Sequence, residues 1–335
     1  MNFSGIKNII KLLFIIPFLI GIWSIVLIQL GLINVNVDLP DRDDMLEAYQ
    51  KAEQANRDNT LAAYQKEAQL DPDNAEGWNQ LGILLLQTGE LAQAEEAFRK
   101  VLALGETHQN KKVQAGALGN LGMVYRVRGE IDKAEEMHRK ALEFHKALGN
   151  KRGMASNYGN LGNVYLTRNE LDMAEEMYRK ALEFNKALGR NKGMAIQYGN
   201  LGLVYTERGE LDKAEEMYRK ALEFHNALGN EQGIAQALGN LGIVYWKSGE
   251  LDMAEKMYRQ ALELNEALGR KEGMANQYTN LGTLYEERSK LDSAEAMWRK
   301  SLNLYEEMGA IQHPKAKQVQ QALDKLAQER SAVAQ

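Results

Sequence analysis

Apolar side chains recur along most of this chain with two superimposed rhythms, a helical one of three to four residues and a longer one of forty. Within residues 159–198, Leu161, Val164, Tyr165, Leu171, Met177, Tyr178, Ala181 and Leu182 fall at helical spacing. That spacing predicts a first helix over 154–168 and a second over 170–188. The pattern returns in units beginning at Asn79, Gly119, Gly159, Gly199, Gly239 and Thr279, so residues 79–318 divide into six units of forty. The unit from Asn79 is the most divergent. Self-similar helix pairs of this kind grow by stacking, each unit burying its apolar face on the next.

Glycine placement sharpens the prediction. Gly129, Gly209 and Gly249 stand between the two helices of a unit, and Gly149, Gly189, Gly229 and Gly269 close the second helix, where a positive φ commonly ends a helix. Gly122, Gly162, Gly202, Gly242 and Gly282 fall inside the first helix, where each costs about 1 kcal/mol relative to alanine. Their recurrence predicts close helix–helix approach, with Ala134, Ala174, Ala214, Ala254 and Ala294 as the expected facing residues. The methionines at 137, 177, 217, 257 and 297 read as core, and Met173 and Met253, which alternate with lysines, as exposed.

Both ends read as caps, which a stack of apolar layers needs. Residues 45–78 fit a degenerate unit, with Tyr64 and Leu70 in expected places. At the other end Pro314 opens a helix expected through Glu329, with Val319, Ala322, Leu323 and Leu326 on one face, so 314–335 forms a capping helix and tail.

The first forty residues differ from the rest. Between Lys11 and Asp38 there is no charged residue, and 12–33 is apolar apart from Ser24 and Gln29. As a helix it would span roughly 33 Å, against a hydrocarbon core of about 30 Å. This predicts a transmembrane anchor over 12–33, a short N-terminus over 1–11 and a polar linker over 34–44. A cleaved signal peptide is the alternative, against which stands the lack of a small-x-small cleavage site; a buried soluble helix is another. Lys7 and Lys11 precede the span and Asp38, Asp41, Asp43 and Asp44 follow it, which places the N-terminus in the cytoplasm and the repeats outside, periplasmic in a bacterium. An inverted topology would make the chain a cytosol-facing adaptor.

The repeat motifs carry a family resemblance. Trp78, Leu81, Gly82, Leu85, Gly89, Ala94 and Phe98, with Asp71-Pro72 ahead of them, match the tetratricopeptide-repeat (TPR) signature, and the later L-G-x-V-Y, G-E-L-D-x-A-E and Y-R-K-A-L runs match it equally. The forty-residue period is similar to the long variant in kinesin light chain, Pins-type adaptors and bacterial TPR proteins. Over residues 45–318 the resemblance implies an all-α, right-handed TPR superhelix, an α-solenoid, which the N-terminal reading precedes with one transmembrane helix. It also implies a concave groove lined by the first helix of each unit. It says little about cargo, because such domains share an architecture and differ in ligand.

Composition narrows the chemistry. Cysteine is absent, which excludes disulfides, thiolate catalysis, cysteine-ligated metals and a lipoprotein anchor. A net charge of −5 and a pI of about 5.7 disfavour nucleic acid as a partner. No phosphate loop, serine nucleophile elbow or metal-ligand cluster is present, so no catalytic residue, metal or cofactor is expected and the chain is not read as an enzyme.

Differences between otherwise similar units point to a binding surface. One first-helix position runs Met123, Asn163, Leu203, Ile243, Thr283, and the next turn runs Arg126, Leu166, Thr206, Trp246, Glu286. The resemblance makes these groove residues, with Trp246 expected as an exposed anchor; drift of exposed positions is the alternative. Asn120, Asn160, Asn200, Asn240 and Asn280 form a ladder on the same helix. An amide offers donor and acceptor together, which suits the backbone of an extended peptide, or else holds neighbouring repeats in register. The lysine clamp for acidic chaperone tails is not supported, since Gly119, Gly159, Gly199 and Gly239 stand in its place. Glu135 with Arg139 and Glu136 with Lys140 read as surface pairs worth a few tenths of a kcal/mol. His138 reads as a packing substitute for tyrosine, and His145 and His225, alternating with Asn185 and Asn265, as exposed. Lys151, Arg152, Arg190, Lys192, Arg270 and Lys271 read as solvated turn cations.

The expectation is thus a membrane-anchored TPR scaffold that holds a partner protein or peptide in its concave groove and helps assemble or localise an envelope complex. A peptide or ligand sensor signalling through the anchor is the alternative.

Overall fold

The computed structural model describes residues 59–68 and 70–333. The chain divides into two compact units, Met1–Ala62 and Ala63–Gln335. Of the first, only 59–62 are described, and they are helical.

In the second unit, helical residues 63–68 are followed by thirteen helices among the described residues. In chain order these are α1 (Ala75–Thr88), α2 (Leu91–Thr107), α3 (Lys111–Val127), α4 (Ile131–Ala147), α5 (Lys151–Thr167), α6 (Leu171–Ala187) and α7 (Asn191–Arg208). There follow α8 (Leu211–Ala227), α9 (Glu231–Lys247), α10 (Leu251–Ala267), α11 (Lys271–Glu287), α12 (Leu291–Glu307) and α13 (Pro314–Val333). Each helix packs on its chain neighbours, and the substantial contacts that skip a helix join only odd-numbered ones: α1 with α3, α3 with α5, α7 with α9 and α9 with α11. The odd helices therefore form the inner, more closely spaced layer of an α-solenoid.

The first helices begin three residues earlier than their apolar pattern suggests; polar caps start α3, α5 and α9, while α7 and α11 begin in the same register after Arg190 and Arg270 without a side-chain cap. Asn150 accepts a hydrogen bond from the Gly153 amide and launches α5 at Lys151, and Asn110 and Asn230 act alike on α3 and α9. Positive φ ends the hairpins as expected, at +79° for Gly129 and +60° for Gly149, and Asn169 takes the same role at +60°.

The glycines inside the first helices do not face the alanines. A Cβ on Gly162 would lie 2.4 Å from the Tyr178 ring, and Gly122, Gly202, Gly242 and Gly282 meet His138, Tyr218, Tyr258 and Trp298 in the same way. Ala134, Ala174, Ala214, Ala254 and Ala294 are fully buried at other contacts. The aromatic ring needs the flat backbone, so glycine is tolerated mid-helix despite its propensity. A second series joins successive hairpins: His145, Asn185, His225 and Asn265 press on Gly153, Gly193, Gly233 and Gly273. These four polar residues are buried, at 7%, 2%, 9% and 2% exposure, which corrects the expectation that the two histidines face solvent.

At the C-terminal end α13 lays Ala316, Val319, Leu323 and Leu326 on the last layer. At the other end Ala68 is buried, but Leu70 is 76% exposed and does not act as a core residue.

The transmembrane part of the expected fold class is corrected. Among the described residues no helix is long and apolar enough to cross a membrane. Even the longest, α13, carries Lys315, Lys317, Asp324, Lys325, Glu329 and Arg330. The segment 12–33, with 1–11 and 34–44, lies outside the described residues. The described fold is an all-α solenoid.

Candidate binding surface on the first helices

Because the odd helices lie side by side, residues forty apart come into line. The asparagine ladder is half-buried throughout. Asn120 is engaged, its Nδ2 donating to Asn79 Oδ1 at 2.9 Å, so at the α1–α3 step the ladder holds register. Among the described residues, the side chains of Asn160, Asn200, Asn240 and Asn280 have no hydrogen-bond partner. Four unspent amides in register are able to meet the alternating N–H and C=O groups of an extended chain.

The variable positions separate into open and occupied ones. Leu203 is 38% exposed. Met123 and Arg126 are half-buried. Asn163 accepts a 2.8 Å hydrogen bond from the Tyr178 hydroxyl, and Thr206 is buried with its hydroxyl on the Gly202 carbonyl at 2.8 Å. Leu166, Ile243 and Trp246 pack against the core. Trp246 Nε1 also donates to Glu287 on α11. The expected exposed anchor is thus a half-buried tie between repeats.

The residues brought together most clearly are Asn200, Leu203 and Asn240. They line a cleft of about 530 Å³ between α7 and α9, together with Lys192, Ile196, Gly199 and Ala237, over a floor that includes Tyr218 and Ala221. One column of the repeat explains the opening. Asn157, Gln197, Ala237 and Gln277 occupy equivalent positions, and the long amides lie across the glycine of the preceding first helix. A Cβ on Gly159 would be 3.2 Å from Gln197, and one on Gly239 would be 2.8 Å from Gln277, but around Gly199 nothing lies within 4 Å. Ala237 leaves the space unfilled. The signal was available as Ala237 beside the amides Asn157, Gln197 and Gln277; Ala117 shares the column, but its register partner on the preceding first helix is Asn79 rather than a glycine.

The far edge of each junction carries a network that pairwise spacing conceals. Glu135 on α4 accepts from Arg139 at 2.7 Å and from the Tyr165 hydroxyl at 2.8 Å, and also binds Arg168. Arg168 further pairs with Asp132. Burial raises the pKa of Glu135, but the hydrogen bonds from Arg139, Tyr165 and Arg168 outweigh it and hold the carboxyl at about 2. The set recurs with Glu175, Tyr205 and Arg208, and with Glu255, Tyr285 and Arg288. These are inter-repeat clamps rather than surface pairs. At the α8–α9 junction Glu215 still takes Tyr245 at 2.6 Å, but Ser248 stands in the arginine position and bonds its own helix at Val244 O.

His138 is fully buried, with Nδ1 3.3 Å from Asn157 Oδ1 and Nε2 without a partner. Desolvation lowers its pKa to about 4, with Arg126 adding repulsion, so the ring is neutral near pH 7.

A stack of antiparallel helix pairs with an inner amide ladder and glycine–aromatic contacts defines a helical-repeat solenoid. The Tetratricopeptide repeat family matches residues 113–187, 193–267 and 233–307, and a second model of the same description matches 63–96. The chain belongs to the tetratricopeptide-repeat family. No curated protein matches the sequence.

Among solved structures, BtubC (BKLC) from P. vanneervenii is 22% identical, with a TM-score of 0.57 over 65% of this chain and 92% of that one. A chain of the APC/C hetero-tetramer Cut9–Hcn1 is 19% identical, with a TM-score of 0.60, over 80% of this chain and 46% of that one. The apo form of RapI is 13% identical, with a TM-score of 0.63, over 79% and 97%. At these identities the likeness is one of fold.

Proposed function

We propose that this protein is a non-catalytic scaffold that holds an extended peptide segment of a partner protein along its first helices. The observation that carries the reading is the row of half-buried, unpartnered amides at Asn160, Asn200, Asn240 and Asn280, one per repeat. A buried or half-buried amide left without a partner forgoes hydrogen bonds that a peptide backbone supplies. Support also comes from the family, and the similar chain in the Cut9–Hcn1 hetero-tetramer is itself part of an assembly.

Binding follows from a pre-formed surface. The helical layers fix the amides before the partner arrives, so most of the ordering cost falls on the peptide. Leu203 and the cleft beside it discriminate side chains, while Trp246 keeps α9 and α11 in place.

The test is a triple variant with Asn160, Asn200 and Asn240 changed to alanine, compared with the unaltered chain on an array of fluorescein-labelled dodecapeptides. The expected result is affinity reduced about tenfold or more across binding peptides, at an unchanged or higher melting temperature. Equal binding by both proteins overturns the proposal.

A further inference from the structure

The junction between hairpins α7–α8 and α9–α10 departs from the others twice, in two separate places. Within α9, Ala237 stands where α5, α7 and α11 carry an amide that crosses to a glycine of the preceding first helix, which leaves the cleft of about 530 Å³; α3 also has an alanine there, Ala117, but in register with Asn79 rather than a glycine. Past the end of α9, Ser248 replaces the arginine that elsewhere clamps the junction, and among the described residues Asp212 has no ion-pair partner, unlike Asp132, Asp172 and Asp252. The two departures fall at the same hairpin junction, one between α7 and α9 and the other between α8 and α9, so this junction has both an open cleft and one clamp fewer to hold it shut.

The cleft has a definite chemistry. Ile196 and Leu203 flank it at 45% and 38% exposure, and Asn200 and Asn240 stand on its rim. Lys192 is the one ordinary charged side chain in the lining, and no carboxylate is there. The matching positions on the two preceding first helices are Arg152 and Lys112, both exposed and, among the described residues, in no ion pair. On the following first helices the same position is Gln232 and then Glu272. The edge is positive up to the cleft and not beyond it.

We propose that this cleft is the selective subsite of the peptide surface: it takes a large apolar side chain from an extended segment whose carboxylates lie on the α5 side, against Lys192 and Arg152. This inference rests on the reading given under the proposed function. Asn200 and Asn240 hold the backbone on either side of the inserted side chain, and the aliphatic walls remove it from water. A segment with lysine or arginine on the α5 side meets like charge and is rejected.

The experiment uses the full chain on a dodecapeptide array in which each position is varied through all side chains. The unaltered protein is expected to select a large apolar residue at one position and Asp or Glu only on one side of it. Gly199→Leu projects into open space within a helix and fills the cleft. It is expected to weaken the selected peptides about tenfold or more and to erase the apolar preference, with the melting temperature unchanged or raised. Lys192→Glu is expected to exchange the acidic preference for a basic one. If Gly199→Leu binds the same peptides equally well, the subsite is wrong while the surface reading stands. If no peptide binds the unaltered chain, both fall.

Discussion

Glu175 accepts a 2.6 Å hydrogen bond from the Tyr205 hydroxyl, thirty residues further along the chain. The same carboxylate takes Arg179 from its own helix and Arg208 from the end of α7. A single acid thereby ties an outer helix to the inner helix of the next repeat. Such a half-buried set is worth more than an exposed pair, because its members are partly withdrawn from water and mutually oriented.

Restoring the clamp at the one interior junction that lacks its arginine gives the first prediction. Ser248→Arg places a guanidinium within reach of Glu215 and Asp212, and is expected to stabilise the α8–α9 junction by about 1 kcal/mol. Solenoid stability is a sum of local terms, so amide hydrogen exchange resolved by helix is the suitable measurement. Protection should rise in α8 and α9 and stay level in α3 and α4. No change in α8 and α9 would show that the clamp contributes little.

Two glycines three residues apart on α7 should respond oppositely to alanine. At Gly199 a Cβ meets nothing within 4 Å, so Gly199→Ala should gain about 1 kcal/mol from helix propensity alone. At Gly202 a Cβ lies 2.7 Å from the Tyr218 ring, and the overpacking should cost about 1–3 kcal/mol before the propensity gain. Thermal unfolding of the two variants checks the sign of each. Equal shifts would contradict the assigned ring contact.

Acid should destabilise the fold in two steps. His138 has its pKa lowered by burial from 6.5 to about 4, so the unfolded chain binds the proton first and stability falls as pH drops through that interval. Glu135 and Glu175 are held at about 2 against an ordinary 4.5, so their contribution is complete above 4.5 and lost as pH falls towards 2. His138→Tyr supplies the residue found at the equivalent positions 178, 218 and 258 and should reduce the first step without touching the second; the rest of the first step comes from His145 and His225, whose pKa values burial also lowers. Denaturant midpoints at pH 7, 5 and 3 distinguish the two. A variant whose midpoint still falls between pH 7 and 5 as in the unaltered chain would place that loss elsewhere.

The architecture was largely legible because it is periodic: residues forty apart meet the same environment, and the glycines after each helix need a positive φ that few other residues supply. What the pattern hid was polar burial. His145 and Asn185 look like surface residues, yet each fills the space above a glycine on the next helix. Glu135 looks like half of an exposed pair, because its further partners Tyr165 and Arg168 lie on another repeat. The ladder was legible as a row of like amides, while the division between Asn120, which is bonded to its neighbour, and the four that are free required coordinates. Trp246 was misplaced because its substitution pattern resembles exposure although its ring is tied to Glu287. The cleft at Ala237 follows from a missing side chain, and absence becomes visible only when the neighbouring helix is in place.

Binding along the first helices requires the partner to touch the inner layer and not the outer one. A photoreactive side chain placed at Leu203, on the inner layer beside the cleft, is to be compared with one at Glu183, exposed on α6 of the outer layer, in complexes with a dodecapeptide selected on the array. Covalent capture of that peptide from position 203 and not from position 183 is the predicted result. Capture from 183 alone, or equally from both, contradicts binding along the first helices.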